Sequence, residues 1–307
     1  MQTRAMGPGA GWSWLKQAIN LGRNNPRALF GAATLLMLVA IVPSIIQLLV
    51  QSAFHSMSAT LWVAGLSGLA MLFVYPLLIG GFFRVIDATE HNRPTHATAL
   101  FDTFRAGQGR GRLIGFGLLL ALIYVIALGT IFALFGSDLP NWYLQVLSAS
   151  QNASSGAPPV LPEMPSGLGT VFGLGLLLMM FLGGVYSIGF GQVALASRSV
   201  GGALADGVAG TLKNLPALLV LTVIASLGML GLALVLGLAL GVLVGLGSLV
   251  HPALGMALAV PAYLAFLVVM YVVLFGVMYF IWRDIAGGDT RGGDSRGIET
   301  RVTGFEA

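Results

Sequence analysis

Three groups of side chains in this sequence have the types and spacings of reactive sites. Gly65-Leu66-Ser67-Gly68 has the glycine-x-serine-glycine pattern of an intramembrane nucleophile, with His251 as a candidate base. Asp87, Glu90, His91 and His96 are ligand-type side chains within one short stretch, as a metal ion would need. Gly107-Gln108-Gly109-Arg110-Gly111-Arg112 carries the glycines of a phosphate-cradling loop. Cysteine is absent, which excludes disulfides, thiol catalysis and thiolate metal sites.

The elements that must position these groups are membrane spans. Six apolar segments, roughly 28–50, 61–83, 113–135, 168–195, 216–249 and 254–282, contain no charged residue. Each reaches the roughly 20 residues that cross a hydrocarbon core. The segment at 216–249 overshoots that length, so a tilt, a break or an extension past the bilayer is expected. Hydrophobic residues make up 57% of the chain and charged ones 8%, against about 25% in an ordinary soluble domain. All fifteen Lys and Arg residues fall in alternate intervening segments, from Arg4 through Arg84 and Arg198 to Arg301. The other set (51–60, 136–167 and 250–253) holds none. Cationic side chains are retained on the cytoplasmic face, so both termini are expected there. The formal +4 charge is therefore a topology signal and an attraction to anionic headgroups, not a sign of nucleic-acid binding. The first 25 residues lack an apolar core and a small-residue cleavage site, so the first span is expected to act as an uncleaved anchor.

Placed on this frame, the reactive groups lose their force. Rhomboid proteases open their fourth span with the nucleophilic serine, whereas Ser67 lies in the second span here. His251 precedes Pro252 outside the apolar core, where a buried hydrogen bond to Ser67 is hard to arrange. Pro94 interrupts any helix joining His91 to His96, and a spacing of five does not share a helical face. The glycine loop lacks the Lys-Ser/Thr ending of a phosphate cradle, so Arg110 and Arg112 are expected to meet lipid headgroups. No cofactor or metal is expected.

Organisation is more informative. A cytoplasmic amphipathic stretch precedes each odd-numbered span. In the first, Trp12, Trp14, Leu15, Ala18, Ile19 and Leu21 share one half of the helical wheel, opposite Lys16 and Arg23. Such a helix is expected to lie in the headgroup plane, with Trp12, Trp14, Lys16 and Arg23 at the lipid interface. Ala97, Leu100, Phe101 and Phe104 form the second stretch. Leu204, Val208, Leu212 and Leu215 form the third, against Asp206 and Lys213. Asn25-Pro26 and Leu215-Pro216 make corners into the spans that follow. The even-numbered spans share Tyr-x4-Gly: Tyr75 to Gly80, Tyr186 to Gly191, and Tyr271 to Gly276. An all-α fold follows: one six-span domain over 1–286, built of three parallel hairpin repeats at about 12–94, 97–200 and 203–287. The outer loop 136–167 is expected to hold a short helix at 139–147, and its Asn152-Ala153-Ser154 sequon is discounted. The tail 287–307, with near-balanced charge and few apolar residues, is expected to be disordered.

Gly237, Gly241 and Gly245 recur at four-residue steps, which predicts tight helix packing, as do Gly80, Gly191 and Gly276. The spans hold no ionisable residue other than tyrosine, which argues against a proton-coupled carrier. Gln47 and Gln192 are the costliest polar groups in them.

Gly11-Trp12-Ser13-Trp14, Arg23-Asn24-Asn25-Pro26, and Pro76 through Gly80-Gly81 and Arg84 to Leu100-Phe101-Asp102-Thr103-Phe104-Arg105 carry a family likeness. They resemble a Burkholderia-type family of proteobacterial six-helix inner-membrane proteins. A looser similarity extends to YciC-like proteins and to the membrane domains fused to some glycerophosphodiester phosphodiesterases. The likeness spans about 12–283. It implies a bacterial inner-membrane location and a fold, and it brings no catalytic residue. The reading that follows is a non-enzymatic bundle that organises or senses lipid or protein partners. The alternative is a small-solute facilitator with its pathway along the pseudo-threefold axis. A polar cavity lined by Gln47 and Gln192 would favour the facilitator, and a dry, closed axis the bundle.

Overall fold

A computed structural model describes residues 3–54, 56–152 and 162–287. Among these the chain is helical: α1 (Ala10–Ile19), α2 (Pro26–Phe54), α3 (Met57–Glu90), a 3-10 helix (Ala97–Phe104), α4 (Arg110–Phe135), α5 (Leu139–Asn152), α6 (Leu168–Ala194), α7 (Val200–Lys213), α8 (Leu215–Val250) and α9 (Pro252–Ile285). Six of them, α2, α3, α4, α6, α8 and α9, are long and apolar enough to cross a bilayer. The chain is thus a multi-pass membrane protein, with its described basic residues at one end of the six spans.

Local chemistry sets the helix starts. Asn25 accepts from the Ala28 amide at 3.1 Å, and Pro26 opens α2, where a missing N–H costs nothing. Ser56 caps α3, Ser199 caps α7 through Gly202 at 3.3 Å, and His251 Nδ1 accepts from Ala253 at 3.2 Å to cap α9. Asn214 makes the corner between α7 and α8. Its amide donates to the Arg4 and Gly210 carbonyls at 2.9 and 2.8 Å, and its oxygen accepts from the Met6 amide at 2.6 Å. The overlong fifth span resolves as an unbroken α8 of 36 residues, about 54 Å against a hydrocarbon core of about 30 Å.

The three hairpins, α2–α3, α4–α6 and α8–α9, pack in a ring. The 3-10 helix lies on α3 and α2, α7 lies on α6 and α4, and α1 returns to lie on α9 and α8. The second spans α3, α6 and α9 touch one another at the centre. Side-chain packing is concentrated toward the cationic end, where Phe82, Ile86, Phe116, Ile188, Tyr279 and Ile285 are buried. The far halves of the spans turn apolar side chains outward, among them Leu49, Trp62, Phe172, Leu246 and Val250.

Three local expectations are corrected. The second surface stretch is a 3-10 helix rather than an α-helix. At three residues per turn it aligns Leu100 and Thr103, both fully buried, with Ala97 one turn earlier. Thr103 then donates to the Leu77 carbonyl at 2.8 Å, and Gly81 admits the Leu100 carbonyl where any Cβ would clash. The third stretch, α7, turns its small face inward: Ala203, Gly207, Gly210 and Thr211 are buried with Asp206, while Leu212 is exposed. Gly207 allows this, because a Cβ there would sit 3.0 Å from the Val185 carbonyl oxygen. The glycine stripe of α8 does not pack within the chain. A Cβ at Gly237, Gly241 or Gly245 would meet nothing within 4 Å, and the close approach to α9 is made instead by Gly247 against Gly255. The expected tail, apart from Gly287, and most of the Asn152-Ala153-Ser154 sequon lie outside the described residues.

Candidate functional site

Two features stand out: a cross-tied cationic end, and a lateral cleft halfway along the spans. The ties centre on three aspartates, two near the ends of the inner helices α3 and α9 and one on α7. Asp87, near the end of α3, accepts from the Tyr279 hydroxyl of α9 at 2.9 Å and pairs with Arg93. Asp284, at the end of α9, accepts from the Trp14 indole of α1 at 3.0 Å and from Arg283 at 3.0 Å. Asp206 of α7 accepts from Gln192 of α6 at 3.0 Å and from Arg198 at 2.9 Å. The Asp206 hydrogen bond, reinforced by its charge, raises the pKa of Arg198 above its ordinary value. A carboxylate so placed is neutralised and hydrogen-bonded, which a half-buried charge requires.

Arginines extend the network between hairpins. Arg84 of α3 donates to the Ala194 carbonyl of α6 at 3.2 Å and twice to Gln108, at 2.9 and 2.8 Å. Arg112 donates to the Ser197 carbonyl. Arg283 reaches Gln17 of α1 at 2.6 Å, lies 3.9 Å from Glu90, and stacks 4.5 Å above the Phe280 ring.

The lateral cleft opens between α3, α4 and α6, with a volume of about 270 Å³. Tyr75, Tyr124 and Tyr186 line it, with Pro76 and Gly68 of α3 and Gly117 of α4. Gly117 admits the Pro76 ring where a Cβ would clash. None of the three phenols has a hydrogen-bond partner among the described residues. Tyr75 lies nine residues along α3 from Arg84, about 14 Å at a helical rise, which puts the cleft near the middle of a bilayer.

The sequence-selected residues sort differently from expectation. Of the lipid-interface set, Trp12, Lys16, Arg23 and Arg110 are exposed. Trp14 is a correction: it is completely buried against the protein, because Gly11 and Ala18 on the same face let α1 press onto α8 and α9. Arg112 is half-buried and tied to Ser197. The packing glycines Gly80, Gly191 and Gly276 each face a neighbouring element. Gly80 meets Leu113 of α4, Gly191 meets the Trp282 ring of α9, and Gly276 meets Ala18 and Leu21 at and beyond the end of α1. Ser67 donates to the Ala64 carbonyl of its own helix at 3.1 Å, while His251 caps α9. Gln192 is fully buried on Asp206, whereas Gln47 is half-buried in the far half of α2. Asp206 and Asp284 were not singled out by sequence reasoning as tie points, nor was Tyr124 as a lining residue. Their only local signal is a polar side chain on an otherwise small or apolar face.

Comparison with protein-family models, with curated proteins and with solved structures finds no match for this chain.

Proposed function

We propose that the chain is a non-catalytic, lipid-interacting bundle of a bacterial inner membrane, with its cationic end in the cytoplasm. The observation that carries this reading is the sealed cationic end. Inner helices α3 and α9 meet there through Phe82, Phe275 and Tyr279, α6 meets α9 where Gly191 faces the Trp282 ring, and the three aspartate ties cross from one hairpin or surface element to another. The facilitator reading needed Gln47 and Gln192 to share a polar path. Gln192 is instead closed in against Asp206, which favours a static bundle.

The cyclic order of contacts supports three hairpin repeats about one axis. Gly80 of the first unit meets the second, Gly191 of the second meets the third, and Gly276 of the third meets the first. A close-packed ring of this kind presents its outer surface to lipid. At its cationic rim, Trp12 (52% exposed) and Ile19 (60%) form an apolar strip on α1 separate from the buried Trp14. Lys16, Arg23, Arg27 and Arg110 are exposed around that rim. Each cation near an anionic leaflet contributes about 1 kcal/mol to its attraction.

The test is lipid selectivity. The purified protein is reconstituted in mixed bilayers, and the motionally restricted fraction of spin-labelled phosphatidylglycerol is compared with that of phosphatidylcholine. The anionic lipid should be enriched at the protein and should lose most of that enrichment when Lys16, Arg23, Arg27 and Arg110 are changed together to Gln. Equal occupancy by both lipids in the unaltered protein would defeat the reading.

A further inference from the structure

We infer that the cleft between α3, α4 and α6 binds a lipid-soluble ring bearing carbonyl oxygens, of the quinone class. This goes beyond the lipid-rim reading and shares with it only a membrane location. Burying a hydroxyl in hydrocarbon without a partner is costly, and each polar group at that depth ordinarily finds one within the protein. Tyr75, Tyr124 and Tyr186 find none among the described residues, although Thr34, Thr130, Ser187 and Thr222 of the six spans all donate to a carbonyl of their own helix, at 2.7 to 2.8 Å. Three helices thus bring to the wall of one cavity three phenol side chains without partners among the described residues.

The position of the cleft narrows the ligand. About 14 Å from Arg84, it is beyond the reach of a phospholipid phosphate, and no charged residue lines it. Its occupant must dissolve in the bilayer and still carry hydrogen-bonding oxygens. At about 270 Å³ it admits a substituted ring, and its walls offer that ring apolar contact: the Pro76 ring on one helix, and Tyr186 and Phe190, tilted to each other by 54°, on another. An isoprenoid tail would leave through the lateral opening into lipid. Pro76 adds a fourth polar group. It has no N–H, so the carbonyl of Leu72, also a lining residue, loses its helical donor. A ring carbonyl takes a phenol O–H, and a ring hydroxyl can give its proton to that carbonyl, so both the oxidised and reduced rings find partners. Binding alone is inferred, with no electron transfer.

The experiment uses the whole protein in phospholipid nanodiscs with a photoreactive azidoquinone carrying a decyl tail. Cross-links are mapped by peptide mass, and unlabelled decylubiquinone or decanol is added as competitor. Labelling is expected on the peptides around Tyr75 and Tyr124, competed by decylubiquinone and not by decanol. Tyr→Phe at 75, 124 and 186 removes only unpartnered hydroxyls, and each change should weaken competition about fivefold, the scale of one hydrogen bond. Gly68→Leu should block labelling, since Gly68 lines the cleft and a Cβ there meets nothing within 4 Å, leaving room for the start of a larger side chain. Absence of labelling, labelling that survives both the triple Phe and the Gly68→Leu variants, or equal competition by decanol would each overturn the assignment.

Discussion

The indole of Trp14 donates to the carboxylate of Asp284 at 3.0 Å, across 270 residues of sequence. This bond joins the first described helix to the last. It sits beside the Arg283–Gln17 contact, so α1 is held by both a buried ring and a pair of polar ties.

Trp14→Ala should therefore destabilise the bundle by about 3–5 kcal/mol, the usual result of emptying a large buried site. Trp14→Phe keeps most of the packing and should lose about 1.5–3 kcal/mol with the charged hydrogen bond. Trp12→Ala should change stability by less than about 0.5 kcal/mol. Thermal unfolding in one detergent measures all three. Equal losses at positions 12 and 14 would contradict the placement of α1.

Asp206 holds two partners at once. Asp206→Ala leaves the buried Gln192 amide without its acceptor and should cost about 1–3 kcal/mol, whereas Asp206→Asn retains one acceptor oxygen and should cost less. Arg198→Gln leaves the carboxylate, 10% exposed, without its cation and should also destabilise, by less than Asp206→Ala because Gln keeps a donor. The same unfolding assay ranks them, and a reversed order would argue that the aspartate is not the centre of the tie.

Glycine substitutions separate packed from open helix faces. Gly276→Leu and Gly191→Leu should greatly reduce the yield of folded protein, because the added side chain meets Ala18 or the Trp282 ring. Gly241→Leu should be tolerated in the monomer. Size-exclusion profiles in detergent read the outcome. Tolerance at 276 together with loss at 241 would reverse the assignment of faces.

Topology is tested directly by reporters. Fusions after Ser155 and His251 should report an external position, and fusions after Asn92 and Gly202 a cytoplasmic one. A single clean reversal would break the charge argument.

Much of the fold could be read from the chain because bilayer physics is local. Length and apolarity mark the six spans, and Pro26 and Pro216 mark corners without knowledge of any contact. Gly80, Gly191 and Gly276 were legible as packing positions because each follows a tyrosine at a fixed step. The face of α1 was not. Its apolar half-wheel is wide enough to serve protein and lipid together, and periodicity cannot assign Trp14 to one and Trp12 to the other. Asp206 misled for a related reason. A charged residue reads as solvent-facing until its partners Arg198 and Gln192 are known, and Gln192 comes from another helix. The stripe at 237, 241 and 245 misled because small residues permit close approach without causing it. The cleft draws one tyrosine from each of three helices, so no window of sequence contains it.

The closure of the ring through α1 sets a schedule for biogenesis. Trp14 leaves the ribosome early, but its acceptor Asp284 is synthesised 270 residues later, roughly 15–50 s at ordinary elongation rates. Until α8 follows, the apolar face of α1 has only lipid or insertion machinery to rest on, and its exposed tryptophan strip can hold it at the surface meanwhile. The first described helix is thus the last to be fully seated, and a chain cut before α9 would insert five spans and leave α1 held on its α8 side, without its Asp284 acceptor or the Arg283 contact.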